Sequence, residues 1–255
     1  MLFGGVFVLV GVVIVIAAVV VLYFRRRTLG KTDLMRKTET LDAASVGSAA
    51  PGTLVEVKGT LRCGEPVTAE LSGEVCAYAL TKVVREYEDV DRDADGDRRV
   101  TRRSETLAEN EEIAPFFIED GSGEVEVNAR GAEVDAEQVV NRFERDPGEG
   151  GLSLGGIRID LGGGGDRTLG YRHTESILRP DSPVYVLGTV GADGVVQAAG
   201  DNTKEQTFIV SHRSEEQLEK GYRKEAMILG FVAAGLFVFG LVFVAVGVGA
   251  AFLGA

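Results

Sequence analysis

Few side chains in this chain of 255 residues are suited to chemistry, since it has two cysteines and two histidines. His173 stands in a polar run, residues 170–178 (GYRHTESIL), between two apolar strand-like segments. Arg172 and Glu175 are three positions apart, a spacing that pairs side chains on a helix, so we predict one or two helical turns here. We therefore name Arg172, His173 and Glu175 as a candidate recognition segment.

The sequence offers no convincing catalytic set. A nucleophile needs a base and an orienting group that converge in space, and close sequence neighbours on one helix rarely do so. His173 has only Glu175 and Ser176 nearby, and the chain has no Gly-x-Ser-x-Gly motif. His212 precedes a helix start, and Cys76 lies in a predicted strand without a basic activator. We predict no catalytic residue and no cofactor site, and we favour a protein that is not an enzyme.

Metal ligation is not indicated either. The four Cys and His residues are scattered between positions 63 and 212 without zinc spacing. Cys63 and Cys76 are expected to be reduced thiols in a reducing cytoplasm, with a disulfide as the alternative. Acidic residues alternate as in the start of an EF-hand loop, but Arg102 stands where its final Glu would be, so we expect a solvated hairpin tip instead of a calcium site. The alternating residues are Asp91, Asp93, Asp95 and Asp97.

A glycine-rich stretch at residues 146–166 contains nine glycines. A phosphate-binding loop would need a Lys-Ser/Thr pair or a strand–helix frame, and this stretch has neither. We predict a flexible loop in which residues 157–159 form a short strand.

Two uncharged segments lie at the ends of the chain. Residues 2–24 hold 23 uncharged residues, and as a helix they would reach about 34 Å, enough to cross a hydrocarbon core of about 30 Å. A cleaved signal peptide would have a basic start and a shorter apolar run. Residues 227–255 are also uncharged. We predict transmembrane helices at 2–24 and 227–253.

Basic residues next to both segments predict the orientation. Cytoplasmic flanks carry an excess of Lys and Arg. The central part, residues 25–226, should therefore be cytoplasmic and both termini outside. Within it we expect a juxtamembrane linker at 25–50 and a juxtamembrane helix at 214–226, which a Ser-Glu-Glu-Gln capping box would start. The basic residues are Arg25, Arg26, Arg27 and Lys31 after the first segment, and Lys220, Arg223 and Lys224 before the second.

The net charge of −12 lies entirely in the central part. Nucleic-acid binding relies on a basic footprint, so nucleic acid is excluded as a partner, whereas the lipid bilayer and an unidentified protein are expected. Arginines outnumber lysines 20 to 7. This acidity is typical of an ordinary solvated surface or of a high-salt cytoplasm such as that of a halophilic archaeon.

Alternating apolar residues and turn signals predict a β-rich domain at residues 51–213. The order of the strands and Asp-Gly hairpins along the chain resembles that of an OB-like closed barrel, which would leave no open sheet edge. The predicted fold class is an α+β membrane protein in which two transmembrane helices flank this β-rich, OB-like domain with short helices. The predicted strands and hairpins cover residues 54–61, 75–89, 100–108, 115–127, 184–198 and 208–211, with a short helix at 135–143.

Six short motifs follow one another between the two apolar segments. They are residues 57–60 (VKGT), Cys76, residues 114–116 (APF) before an Asp-Gly hairpin, residues 170–178, residues 187–190 (LGTV) and residues 208–211 (FIVS). No single motif is specific, but their order over about residues 50–250 resembles the GIDE family, also called the BAM domain. This is the membrane-flanked domain of the mitochondrial ubiquitin ligase known as MULAN or MAPL.

The resemblance implies two alternative functions. Eukaryotic ligases of this family add a RING that needs eight Cys or His ligands for two zinc ions, and this sequence has four such residues. It therefore resembles a prokaryotic-type member without a RING, for which a membrane-proximal binding or scaffolding role is expected. The alternative is an enzyme: a ubiquitin ligase-related component that acts in protein ubiquitination with separate partners, or an unrecognised hydrolase.

Overall fold

The computed structural model describes residues 2–92, 98–145, 152–154, 157–159, 167–199 and 207–253. The chain forms two compact units, one of residues 1–39 and 213–255 and the other of residues 40–212. The elements in chain order are α1 (Leu2–Lys37), α2 (Ala43–Val46), β1 (Leu54–Arg62), β2 (Val67–Thr68), β3 (Val75–Cys76), β4 (Tyr78–Arg92), β5 (Arg98–Ile113), β6 (Phe116–Glu119), β7 (Glu124–Val127), β8 (Glu133–Asp135), β9 (Glu137–Arg145), β10 (Leu152–Leu154), β11 (Ile157–Ile159), β12 (Arg167–Leu178), β13 (Pro183–Val190), β14 (Val196–Gln197), β15 (Ile209–Ser211) and α3 (Glu215–Leu253).

The first unit is a hairpin of α1 and α3, and both helices are long and apolar enough to cross a membrane. Helix α1 continues through part of the predicted linker to Lys37. Helix α3 begins directly after Ser214, whose N–H donates to the Gln217 side chain at 3.2 Å, as in a capping box. It then runs without interruption through the second apolar segment, so the predicted juxtamembrane helix and span form one helix.

Small residues allow the two helices of this hairpin to touch. A Cβ on Gly11 would lie 2.8 Å from the backbone oxygen of Gly240, so the backbones approach too closely for a side chain there. Further along, Arg36 forms an ion pair with Glu219 at 2.5 Å. The outer faces remain apolar, and Phe231 is 73% exposed. Such a surface is suited to lipid.

The second unit contains a closed five-stranded barrel with the order β1-β6-β7-β14-β13 and back to β1. All neighbours are antiparallel except β7 and β14, which pair in parallel at Val127 and Val196. Numbered along the chain, the barrel strands follow the order 1-2-3-5-4, which is the order of an OB fold. The predicted OB-like barrel is thus confirmed. Its interior includes Val55, Val57, Leu61, Phe116, Ile118, Val127, Val186 and Val196.

A second sheet has the order β5-β4-β12-β9, with antiparallel pairing throughout. Its strands come from the two long connections of the barrel, one between β1 and β6 and the other between β7 and β13. A short parallel pairing of β8 with β15 also links the second connection to the barrel sheet. This four-stranded sheet contains the candidate recognition residues.

Two predicted helices are wrong. Residues 170–178 belong to strand β12, and residues 135–143 belong to β8 and β9. Along β12 the burial alternates with a period of two, which is a strand pattern. The sequence does not show this alternation as hydropathy, because two of the buried positions hold polar residues, a histidine and a glutamate.

The turn predictions are confirmed where the structure describes them. Gly121 and Gly194 have φ of 85° and 80° in their hairpins, a region that glycine tolerates. Strand β11 confirms the short strand at residues 157–159 and pairs with β10. The rest of the glycine-rich stretch lies outside the described residues. The central acids of the EF-hand-like turn, Asp93, Asp95 and Asp97, also lie outside them.

The close contact between β1 and β6 predicts that a methyl group added to Gly59 destabilises the domain. A Cβ at Gly59 would lie 2.6 Å from Ile118 Cγ2 and would also contact the backbone oxygen of Glu119 on β6. Gly59→Ala should therefore reduce the free energy of unfolding by about 1–3 kcal/mol, because it overpacks a strand contact. Thermal unfolding of the full chain in detergent, followed by circular dichroism, measures this.

Gly64→Ala is the matched control, since nothing lies within 4 Å of its added methyl group. Equal unfolding temperatures for the two variants would contradict this account of the β1–β6 contact.

Candidate functional site

Strand β12 holds all three predicted recognition residues, but not on one surface. Successive side chains of a strand point to opposite faces of the sheet. His173 and Glu175 share one face and are 1% and 0% exposed. Arg172 lies between them in sequence and points to the opposite, open face. The structure thus separates the predicted segment into a buried polar pair and one surface arginine.

Glu175 anchors a loop. Its carboxylate accepts hydrogen bonds from the backbone N–H groups of Leu71 and Ser72 at 2.7 and 2.8 Å, and from the Thr81 hydroxyl at 3.1 Å. Burial raises the pKa of Glu175, but the hydrogen bonds from Ser72, Leu71 and Thr81 together outweigh it, so the pKa lies below its ordinary value. Glu175 is therefore an ionised structural group that fixes the β2–β3 turn against the sheet.

His173 is buried, and among the described residues neither of its ring nitrogens has a hydrogen-bond partner. The nearest acidic group is the Glu144 carboxylate, 3.6 Å from Nε2. Burial lowers the pKa of His173, and the opposing effect of Glu144 is smaller. The imidazole is thus neutral at pH 7, and no hydroxyl or thiol in the described part of the chain donates to it. This environment does not resemble a catalytic dyad.

A pH dependence follows from this burial. Because the folded-state pKa of His173 is below 6.5, the unfolded chain binds a proton more readily, so stability falls as pH drops below 6.5. His173→Leu should remove this part of the pH dependence. It should also raise the free energy of unfolding at neutral pH by about 1 kcal/mol, since an unpartnered buried polar group is replaced.

Thermal unfolding at pH values above and below 6.5 measures the difference between variant and wild type. His212→Gln, which changes the other histidine of the sequence, is the matched control for the loss of one imidazole. A His173→Leu variant that is less stable than the wild type at neutral pH would contradict this prediction. It would show that the imidazole makes an interaction that stabilises the fold by more than burial of the ring destabilises it.

The opposite face of the sheet forms an open groove of about 810 Å³. The Phe143 ring lies over Gly170, where an added Cβ would be 2.6 Å from Phe143 Cζ. The Arg172 guanidinium lies 5.3 Å from the centroid of the same ring. We call this surface the basic groove. It is lined by Glu86, Arg102, Phe143, Arg145, Arg167, Thr168 and Leu169.

Positive charge exceeds negative charge around the basic groove. Arg172 is tightly paired with Glu86 at 2.7 Å. Glu88 is 3.8 Å from Arg102 and 3.9 Å from Arg167, which are loose contacts. Four arginines at positions 102, 145, 167 and 172 therefore face two glutamates at positions 86 and 88, an excess of 4 − 2 = +2 among the described side chains. In a chain of net charge −12 this is an unusual local sign.

Sequence reasoning missed three of these arginines. Arg102, Arg145 and Arg167 lie on β5, β9 and β12, so only strand pairing brings them together. The one available signal was alternation along β9, where Phe143 and Arg145 share a face. The helix predicted at residues 135–143 obscures this signal, because it covers most of β9.

The cysteines do not provide a reactive site. Both are free thiols, Cys63 half-buried and Cys76 buried. Burial is the main cause that raises the pKa of Cys76 to about 11, with the Glu175 charge adding to it. Within the part of the chain that the structure describes, no three Cys, His, Asp or Glu side chains cluster in a way that would hold a metal ion.

One comparison with known proteins gives a match. The family model described as "GIDE: E3 Ubiquitin ligase" matches residues 84–247. This is 247 − 84 + 1 = 164 of the 255 residues. The match includes the basic groove, four of the five barrel strands and most of α3. Comparison with curated proteins gave no match, and neither did comparison with solved structures.

Proposed function

The chain belongs to the GIDE family, and from this membership we propose that it is a membrane-anchored binding module whose basic groove holds an acidic segment of a partner protein. The observation that carries the proposal is the groove itself, with its excess of arginine around an aromatic ring. The two apolar helices would anchor the chain that carries this surface in a bilayer.

Arginine and phenylalanine together favour a peptide ligand. A guanidinium group donates two parallel hydrogen bonds to a carboxylate, which gives geometric selectivity as well as charge. Phe143 is 38% exposed and offers an apolar contact in the middle of the charged surface. Aromatic residues and arginines are also the side chains that contribute most to protein interfaces.

The acidity of the rest of the chain supports selectivity at this groove. An acidic partner is repelled by a surface of net negative charge and attracted only where the local charge is positive. Basic residues next to both predicted spans, on the side of the central domain, predict that this domain faces the cytoplasm. Partners would then be cytoplasmic proteins or the cytoplasmic segments of other membrane proteins.

Charge reversal in the groove tests the proposal. Arg145→Glu should weaken binding of a fluorescent glutamate-rich peptide by tenfold or more, because it changes the local charge beside the ligand from +1 to −1. Binding by the wild type should also weaken with added salt. Fluorescence anisotropy with the full chain in a neutral detergent measures both effects.

Arg142→Glu is the matched control, since Arg142 lies on the same strand but on the opposite face, beside Glu144 at 2.9 Å. It alters net charge equally and should leave peptide affinity close to that of the wild type. Equal losses in both variants would indicate general charge attraction, and that result would contradict recognition by the groove.

The family description also supports a second role, as a recognition component of a ubiquitin ligase. A RING requires eight zinc ligands, and this sequence has 2 + 2 = 4 Cys and His residues. Transfer of ubiquitin would then require a separate catalytic subunit, to which this chain would bring a substrate bound in the groove. Both roles use the same surface, and they differ in the consequence of binding.

Ubiquitin discharge distinguishes the two roles. The purified chain, mixed with a ubiquitin-charged conjugating enzyme, should not accelerate loss of the thioester, because it lacks the RING ligands. Addition of a separate RING protein should restore discharge onto a groove-bound substrate only if the ligase-component role holds. Acceleration by this chain alone would contradict the binding-module proposal.

A further inference from the structure

We propose that the helical hairpin binds the phosphate headgroup of an anionic phospholipid in a notch between α1 and α3. The notch has a volume of about 360 Å³. It is lined by Val21, Phe24, Arg27, Thr28, Lys31, Glu225 and Leu229. All seven residues belong to the helical unit.

The notch lies at the level where both helices change from apolar to charged. On α1 the uncharged run ends at Phe24, and on α3 it begins at Ala226, directly after Glu225. Arg25 joins these two points, because its Nε donates to the backbone oxygen of Ala226 at 3.1 Å. Gly230 leaves room for this contact, since a Cβ there would be 3.1 Å from Arg25 Nε. Both boundaries therefore coincide, and the notch is at the depth of lipid headgroups.

The lining of the notch changes from basic to apolar along the helix axis, in the same order as the headgroup and acyl chain of a phospholipid. Arg27 and Lys31 are four residues apart on one face of α1, toward the charged end. Phe24 and Val21 follow on the same side toward the membrane, and Leu229 faces them from α3. A phosphate group would bind beside the two cations while the start of an acyl chain contacts the apolar half.

The charge of the notch suits one anion. Two cations face one carboxylate, Glu225, so the excess is 2 − 1 = +1. The Lys31 ammonium is placed over the Tyr222 ring, 5.3 Å from its centroid, which limits where it can point. Basic pockets between transmembrane helices on the charged side are suited to anionic headgroups. A free phosphate ion would share the contacts with Arg27 and Lys31 but would leave the apolar half empty.

The test measures lipid preference in the full chain. Protein in mixed micelles of phosphatidylcholine and phosphatidylglycerol is analysed by native mass spectrometry for the lipid that it retains. The wild type should retain phosphatidylglycerol preferentially. The double variant Arg27→Gln/Lys31→Gln should reduce that preference by about tenfold or more, since each basic residue near the surface contributes about 1 kcal/mol. Glu225→Gln should increase it.

Three controls make the outcome decisive. Arg26→Gln/Lys220→Gln removes the same charge outside the notch and should keep the preference. Leu229→Trp fills the apolar half without a charge change and should reduce the preference. Inorganic phosphate in excess should not displace the lipid.

The proposal is overturned if the wild type shows no preference or if both double variants lose it equally, which would indicate general surface charge. Full displacement of the lipid by inorganic phosphate would also overturn it, because the site would then take a free ion.

Discussion

Strand β12 hydrogen-bonds to β4 along one edge and to β9 along the other, and the chemistry of the second sheet depends on this double pairing. It forces Arg172 to one face and both His173 and Glu175 to the other. Glu175 then meets the half-buried β2–β3 turn and accepts hydrogen bonds from two of its N–H groups. The same pairing places Phe143 beside Arg172, so β12 supplies a structural anchor on one face and part of the surface around the basic groove on the other.

Charge in this protein is organised at two levels. The chain as a whole is strongly negative, which favours solubility and repels acidic molecules at long range. Within about one Debye length of the surface, local charges decide instead. The basic groove and the notch both have a local excess of positive charge, and both combine arginine with an apolar contact. An anionic ligand of either site would therefore be selected by local geometry against an unfavourable general field.

The sequence predicted those parts of the fold that depend on near neighbours. Uncharged runs predicted both long helices, and Asp-Gly turns predicted the hairpins of the barrel. Strand β12 was not predicted, because segments distant in sequence bury His173 and Glu175. The sequence around these two polar residues does not show that they are buried. The spacing of Arg172 and Glu175 also satisfied a helical pattern. The basic groove and the notch could not be predicted, since each requires a register between residues far apart, 201 positions for Arg25 and Ala226.

The family match begins at Val84, inside β4, although the barrel depends on what precedes it. Strand β1 closes the barrel by pairing with β13 along residues 54–60 and with β6 along residues 60–62. Its side chains Val55, Val57 and Leu61 are part of the buried core. A fragment limited to residues 84–247 would expose two strand edges and remove these side chains. Because β1 both closes the barrel and supplies part of its core, we expect that the matched region needs the preceding residues to fold as it does in the whole chain.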